Sequence, residues 1–198
     1  MGVKQKYKSM RSLLTALIWI SFTLSLAGCA TTTIETSRPR LQQPLCVEGT
    51  LSPPVAIYWR PQWRPDQKEP PVREALAQKG IERFIARHAC LNVRELKRLP
   101  SGQETFLDQA LVQQAGRAGA EQVVVIVVRE LGPKLTIGIP VILKGGTEVV
   151  IEVRILNAAS AAPLADMRTH WEKGGAFVVK GLWTLEEDMD AALEASLM

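Results

Sequence analysis

Histidine is nearly missing from this chain: His88 and His170 are the only two in 198 residues. Cysteine is scarce. Cys29, Cys46 and Cys90 stand far apart, and no pair has the CxxC spacing of a redox or zinc site. No segment matches a phosphate-binding glycine loop, a dinucleotide fingerprint, an HExxH zinc helix or a GxSxG elbow. These absences leave no motif for a metal or cofactor, so none is expected. Acidic residues are absent from the first 28 positions, which carry Lys4, Lys6, Lys8 and Arg11. The net charge of +4 equals those four bases, so the remainder is neutral. The basic balance therefore belongs to a leader and does not point to nucleic acid.

What is present fits a globular chain, with 46% apolar and 22% charged residues. Leu13 to Leu26 is an uncharged apolar run, too short for a membrane span of about 20 residues. It ends in Leu26-Ala27-Gly28-Cys29. Small residues at 27 and 28 let an extended chain enter a peptidase cleft, and a thiol at 29 is a good nucleophile toward a lipid donor.

That segment resembles the lipobox of bacterial lipoproteins. The resemblance implies a signal peptide over 1–28, a diacylglycerol thioether on Cys29 and an acylated new amino terminus, palmitate-type anchoring by several chains. Ala30 stands where an aspartate would imply retention at the inner membrane. The expected location is therefore the outer membrane, facing the periplasm. In such an oxidising compartment Cys46 and Cys90 are candidates for one disulfide, with two buried thiols as the alternative.

Residues 30–44 are polar, rich in Thr and Pro and without periodicity, which predicts a tether after Cys29. One domain, 45–198, follows. Val55–Tyr58 reads as a strand, 72–88 as a helix opened by Pro70-Pro71, and Leu91–Leu96 as a second strand. Ser101 and Glu104 have capping-box spacing for a helix over 103–118. Val123–Val128 is continuously apolar, the pattern of a strand buried on both faces. Gly132-Pro133 predicts a turn, 135–143 an edge strand and 144–147 a hairpin turn. Residues 147–157 and 164–172 form a second hairpin whose register sets Arg154 against Asp166, Glu152 against Arg168, Val153 against Met167 and Val149 against Trp171. Glu148 against Glu172 is its misfit. Thr184 caps a last helix over 184–197.

The order β-α-β-α-β-β-β-β-α predicts a mixed sheet with helices packed on it, an α/β (α+β) fold in two layers. The order resembles a loose group of periplasmic lipoprotein domains: the amino-terminal domain of TolB, the curli-secretion lipoprotein and lipoprotein activators of penicillin-binding proteins. Gly119-Ala120-Glu121-Gln122, Val149 to Asn157 and Leu182 to Leu197 carry the likeness. It implies a fold more than a function.

Catalytic candidates are weak. His88 sits in the last turn of a helix and His170 on a charged strand face, both read as satisfied surface residues. Glu148 and Glu152 invite a carboxylate-pair reading, but Arg168 neutralises Glu152 across the hairpin. The segment Trp59-Arg60-Pro61-Gln62-Trp63-Arg64-Pro65 differs from scaffold. Its prolines predict a stiff loop, and tryptophan and arginine are enriched at binding hot spots. Trp59, Arg60, Trp63 and Arg64 are therefore the partner-binding candidates, unless the indoles only cover the domain edge. From Arg38 to Arg98 the net charge is +6, and from Leu99 to Met198 it is −5, so the segment lies in the basic half.

The expected function is a non-enzymatic, lipid-anchored envelope module. It is held to the membrane by acyl chains on Cys29 and binds an envelope protein complex or a cell-wall polymer. Alternatives are an auxiliary transporter lipoprotein, which requires an apolar groove, and a cell-wall enzyme, which requires a cleft with convergent carboxylates or a perturbed histidine.

Overall fold

The run Val123–Val128 is apolar at every position because two separate cores meet on it. Val124, Ile126 and Val128 face one core, and Val123 and Val125 face the other. The computed structural model describes residues 30–37, 44–47, 49–100, 108–138 and 142–198. The signal segment and Cys29 lie outside the described residues.

The elements are β1 (Thr31–Ser37), β2 (Val55–Pro61), α1 (Pro70–Arg87), β3 (Val93–Arg98), α2 (Asp108–Arg117), β4 (Gln122–Gly138), β5 (Ile142–Asn157), β6 (Pro163–Ala176) and α3 (Leu185–Leu197). The strands form one mixed sheet in the order β1-β6-β5-β4-β2-β3. β2 is parallel to β3 and β4, and the other pairs are antiparallel. The class is α+β.

The crossovers decide where the helices go. From β2 the chain moves outward to β3, then returns past β2 to β4. Right-handed crossovers in opposite directions put their helices on opposite faces. Accordingly α1 and α3 share the larger core, with Trp59, Phe84, Trp171, Met189 and Leu193. α2 packs on the other face through Leu111, Val112 and Ala115, against Tyr58 and Val125. The two-layer expectation thus misses a third layer at the β2–β4 end. On that second face, the β5–β6 portion carries Glu148, Glu152, Arg168, His170 and Glu172, none of them fully buried.

Three local expectations are corrected. First, the stretch read as a tether contains β1, which pairs Thr31 with Gly174 through Ser37 with Arg168. Its β-branched Thr31, Thr32, Thr33, Ile34 and Thr36 favour strand despite their polarity. Second, Gly132-Pro133 does not turn. β4 runs through it, with Pro133 opposite Thr147. β2 ends at Pro61 opposite Val128, so Pro133 needs no donor on that side. Third, Gly145 and Gly146 lie within β5, and β4 and β5 are joined through 139–141, outside the described residues. The glycines mark a close strand approach instead. A Cβ on Gly146 would stand 2.6 Å from the Lys173 carbonyl oxygen and 2.8 Å from the Gly174 Cα.

The β5–β6 register is as expected at Arg154–Asp166, Glu152–Arg168, Val153–Met167 and Val149–Trp171. The final helix begins after a 3-10 turn at Leu182–Thr184, and Thr184 makes no side-chain cap. Its hydroxyl lies 3.3 Å from the Gly181 carbonyl. The chain entering the domain is tied to the helix end: the Leu45 amide donates to the Leu197 carbonyl at 2.8 Å, and Cys46 is disulfide-bonded to Cys90.

Candidate functional site

β4 outlasts β2 by a full half of its length, and the Trp-Arg-Pro segment lies where β2 stops. Trp59 is still inside β2, wholly buried, with its indole N–H donating to the Gln78 side-chain oxygen. It is a core residue and lies outside the contact surface expected from sequence. Arg60 is also a strand residue, half-buried. The prolines of the segment predict one loop over all of it. The repeat conceals the end of a strand: Val55–Pro61 pairs along β4 to its last residue.

Trp63 and Arg64 do lie beyond the strand. Trp63 rests partly buried on the larger core, its indole N–H 3.3 Å from Glu74 Oε1. The Gln62 amide donates to the Val128 carbonyl at 2.9 Å, which prolongs the pairing by one residue. Arg64 leaves 65% of its side chain exposed while its Nη2 meets Glu130 Oε2 at 2.8 Å.

A bulge at Val128/Glu130 makes this possible. Two residues of β4 there oppose one of β5, so Arg129 and Glu130 are re-aimed while Leu131 returns to the core. Arg129 reaches Glu152 Oε2 at 2.7 Å, and Arg168 stands 3.6 Å from the other oxygen. Glu130 is nearly enclosed, and burial raises its carboxyl above the ordinary range against the pull of Arg64. Behind it the buried Arg73 donates to the carbonyls of Lys68 and Leu131, and its own burial lowers its pKa.

The result is a groove of about 530 Å³ between the 62–64 segment and the bare sheet face, lined by Trp63, Arg64, Arg129, Glu130, Glu152 and Arg168 among others. Its polar lining does not match the apolar groove a lipid carrier needs. Glu152 and Glu148 do not converge as a free carboxylate pair. Arg129 and Arg168 hold the first, and Lys134 and His170 hold the second.

His170 is less isolated than its strand position implied. Its Nε2 lies 2.7 Å from Glu148 Oε1 and 3.1 Å from Glu172 Oε1. The two glutamates face each other across β5 and β6, the misfit of the expected register. The strands continue past them, and Lys134 of β4 lies against both carboxylates. The hydrogen bond from that ammonium lowers the Glu172 carboxyl pKa, and the same bond to Glu172 raises the Lys134 pKa. Glu148, His170 and Glu172 are the one set among the described residues with donor atoms close enough to share a metal ion. Sequence does not show this, because the turn expected at Gly132-Pro133 takes Lys134 off the strand from which it reaches them. His88 is satisfied locally, with Nδ1 2.8 Å from the Phe84 carbonyl.

No family model matches the chain, and no curated protein matches it. Solved structures similar to it include a PelC dodecamer from Paraburkholderia phytofirmans, 12% identical over 84% of this chain and 98% of that one, with a TM-score of 0.45. Lipoprotein GNA1162 from Neisseria meningitidis is 15% identical over 72% of this chain and 97% of that one, with a TM-score of 0.38. Protein XCC0632 from Xanthomonas campestris, of family DUF330, is 10% identical over 81% and 87%, also with a TM-score of 0.38. The likeness is one of strand and helix arrangement at low identity.

Proposed function

We propose that this chain is a lipid-anchored, non-catalytic envelope lipoprotein that holds a periplasmic partner at the groove beside Trp63 and Arg64. The supporting observation is Arg64 itself. It is largely exposed, yet its guanidinium is fixed at 2.8 Å to a nearly buried carboxylate, on a segment stiffened by Pro61 and Pro65. A cation pre-oriented in this way loses little side-chain entropy when a partner binds. The mixed lining of arginines and glutamates suits a polar protein surface or a hydroxyl-rich polymer.

The anchoring half rests on the Leu26-Ala27-Gly28-Cys29 segment. Among the described residues no helix is long and apolar enough to cross a membrane. Attachment through Cys29 would place the domain on the periplasmic side of the outer membrane. Cells fed a clickable palmitate analogue test this. Wild-type protein should be labelled and processed, and Cys29→Ser should accumulate as an unlabelled precursor. Normal processing of Cys29→Ser would remove the anchor from the account.

A further inference from the structure

The start of β1 bears on where the domain sits. Thr31 pairs with Gly174, Gly174 with Gly146, and Gly146 with Lys134, so these four residues form one row across the sheet. The next rows outward hold Leu135, Gly145 and Gly175, then Thr136, Lys144 and Ala176. The chain toward Cys29 leaves at this end. Only Ala30 stands between Cys29 and Thr31, two residue steps with a reach of at most roughly 7 Å.

Large apolar side chains are exposed at that same end. Leu135 is 62% exposed, Ile137 67%, Phe177 68%, Val179 74% and Trp183 77%. The Phe177 amide donates to the Leu143 carbonyl at 2.8 Å, which fixes it beside the strand ends that carry Leu135 and Ile137. Phe177 has φ of 61°, a left-handed backbone that bulky residues avoid. A bulky aromatic held outward at strain is not how a chain hides apolar surface. Lys144 and Lys173 are exposed on the flanking strands. Concentrated apolar exposure of this kind marks a contact surface, and an aromatic–aliphatic patch edged by lysine matches the interface of an anionic bilayer.

We infer that this end of the sheet, Leu135, Ile137, Phe177, Val179 and Trp183, lies in the headgroup region of the membrane that carries the acyl chains. The inference rests on the lipid-anchor reading, through the short distance from Cys29. Anchor and patch then act as two signals on one bilayer, which fixes the domain's orientation as well as its attachment. The bare charged face stands upright on the membrane, and the groove at Trp63 and Arg64 opens sideways above it.

The test uses the full chain reconstituted in vesicles of phosphatidylethanolamine and phosphatidylglycerol, with nitroxide labels on Ile137→Cys or Val179→Cys. Leu164→Cys, at the far end of β6, is the control. The ratio of oxygen to nickel-chelate accessibility should rise several-fold at 137 and 179 relative to 164. The acyl mass on Cys29 is read from the same samples. Acylated Cys29 with 137 and 179 as wet as 164 overturns the membrane face and leaves the anchor standing. Unmodified Cys29 with both labels in lipid supports the face and removes the anchor. Unmodified Cys29 with wet labels overturns both. Labels immobile and closed to both reagents mean that another protein covers the patch, which also overturns the inference.

Discussion

Gly80 of α1 lies directly against Met189 of α3. A Cβ placed on Gly80 would stand 2.6 Å from the Met189 Cβ and 2.9 Å from the Glu186 carbonyl oxygen. The glycine costs its helix roughly 1 kcal/mol of intrinsic propensity, and the helix crossing recovers it through close packing. Gly80→Ala should therefore destabilise, by about 1–3 kcal/mol of overpacking, where propensity alone predicts a gain. Urea unfolding of the two proteins distinguishes the signs.

The two tryptophans of the WRP repeat should behave differently. Trp59 is wholly buried in the larger core. Trp59→Ala should cost about 3–5 kcal/mol, the usual range for a large aromatic truncated in a core. Trp63→Ala should cost clearly less, because its indole is only partly enclosed. Melting temperatures of the two variants compare them directly.

The Cys46–Cys90 bond closes a loop of 44 residues in sequence and ties the chain entering the domain to the end of α1. In the chain-entropy treatment such a loop contributes roughly 4 kcal/mol. Cys46→Ser with Cys90→Ser should lose most of that in denaturant unfolding. Alkylation and mass spectrometry of protein taken rapidly from cells should find no free thiol at either position.

Acid should act on two glutamates with opposite signs. Lys134 holds the Glu172 pKa below the unfolded value of about 4.3. Glu172 therefore stabilises the fold above that value, and the contribution disappears as pH falls through the lowered folded pKa. Burial raises the Glu130 pKa, so the folded chain takes up its proton more readily than the unfolded chain. Relative to Glu130→Gln, wild-type protein should gain stability on acidification. Relative to Glu172→Gln, it should lose stability. Denaturation midpoints from pH 7 downward, measured on all three proteins, show whether the slopes oppose.

Part of this molecule is legible in its sequence. The all-apolar Val123–Val128 run and the 147–172 register could be read because burial on one or both faces leaves a strict residue pattern. The third layer was not legible, since chain order does not state on which side of β2 the chain returns. β1 was hidden by its threonines, which are polar by composition and strand-forming by shape. The glycines at 145 and 146 looked like a turn because a close approach between strands demands the same missing Cβ. The candidate groove was half legible. Trp63 and Arg64 stood out, but the β4 bulge that brings Arg129 and Glu130 to them follows from no local motif.

The double variant Trp63→Ala, Arg64→Ala in the full chain tests the binding claim most directly. A photo-cross-linker at Gln62 in living cells reports partner contact, and a melting scan reports folding. A Trp or Arg anchor at a hot spot is typically worth about 2 kcal/mol, roughly 30-fold in affinity. The account predicts that cross-linking to the wild-type partner is lost, with a fall in melting temperature smaller than that of Trp59→Ala. A double variant that captures the same partner as wild type, whether destabilised or not, would contradict it.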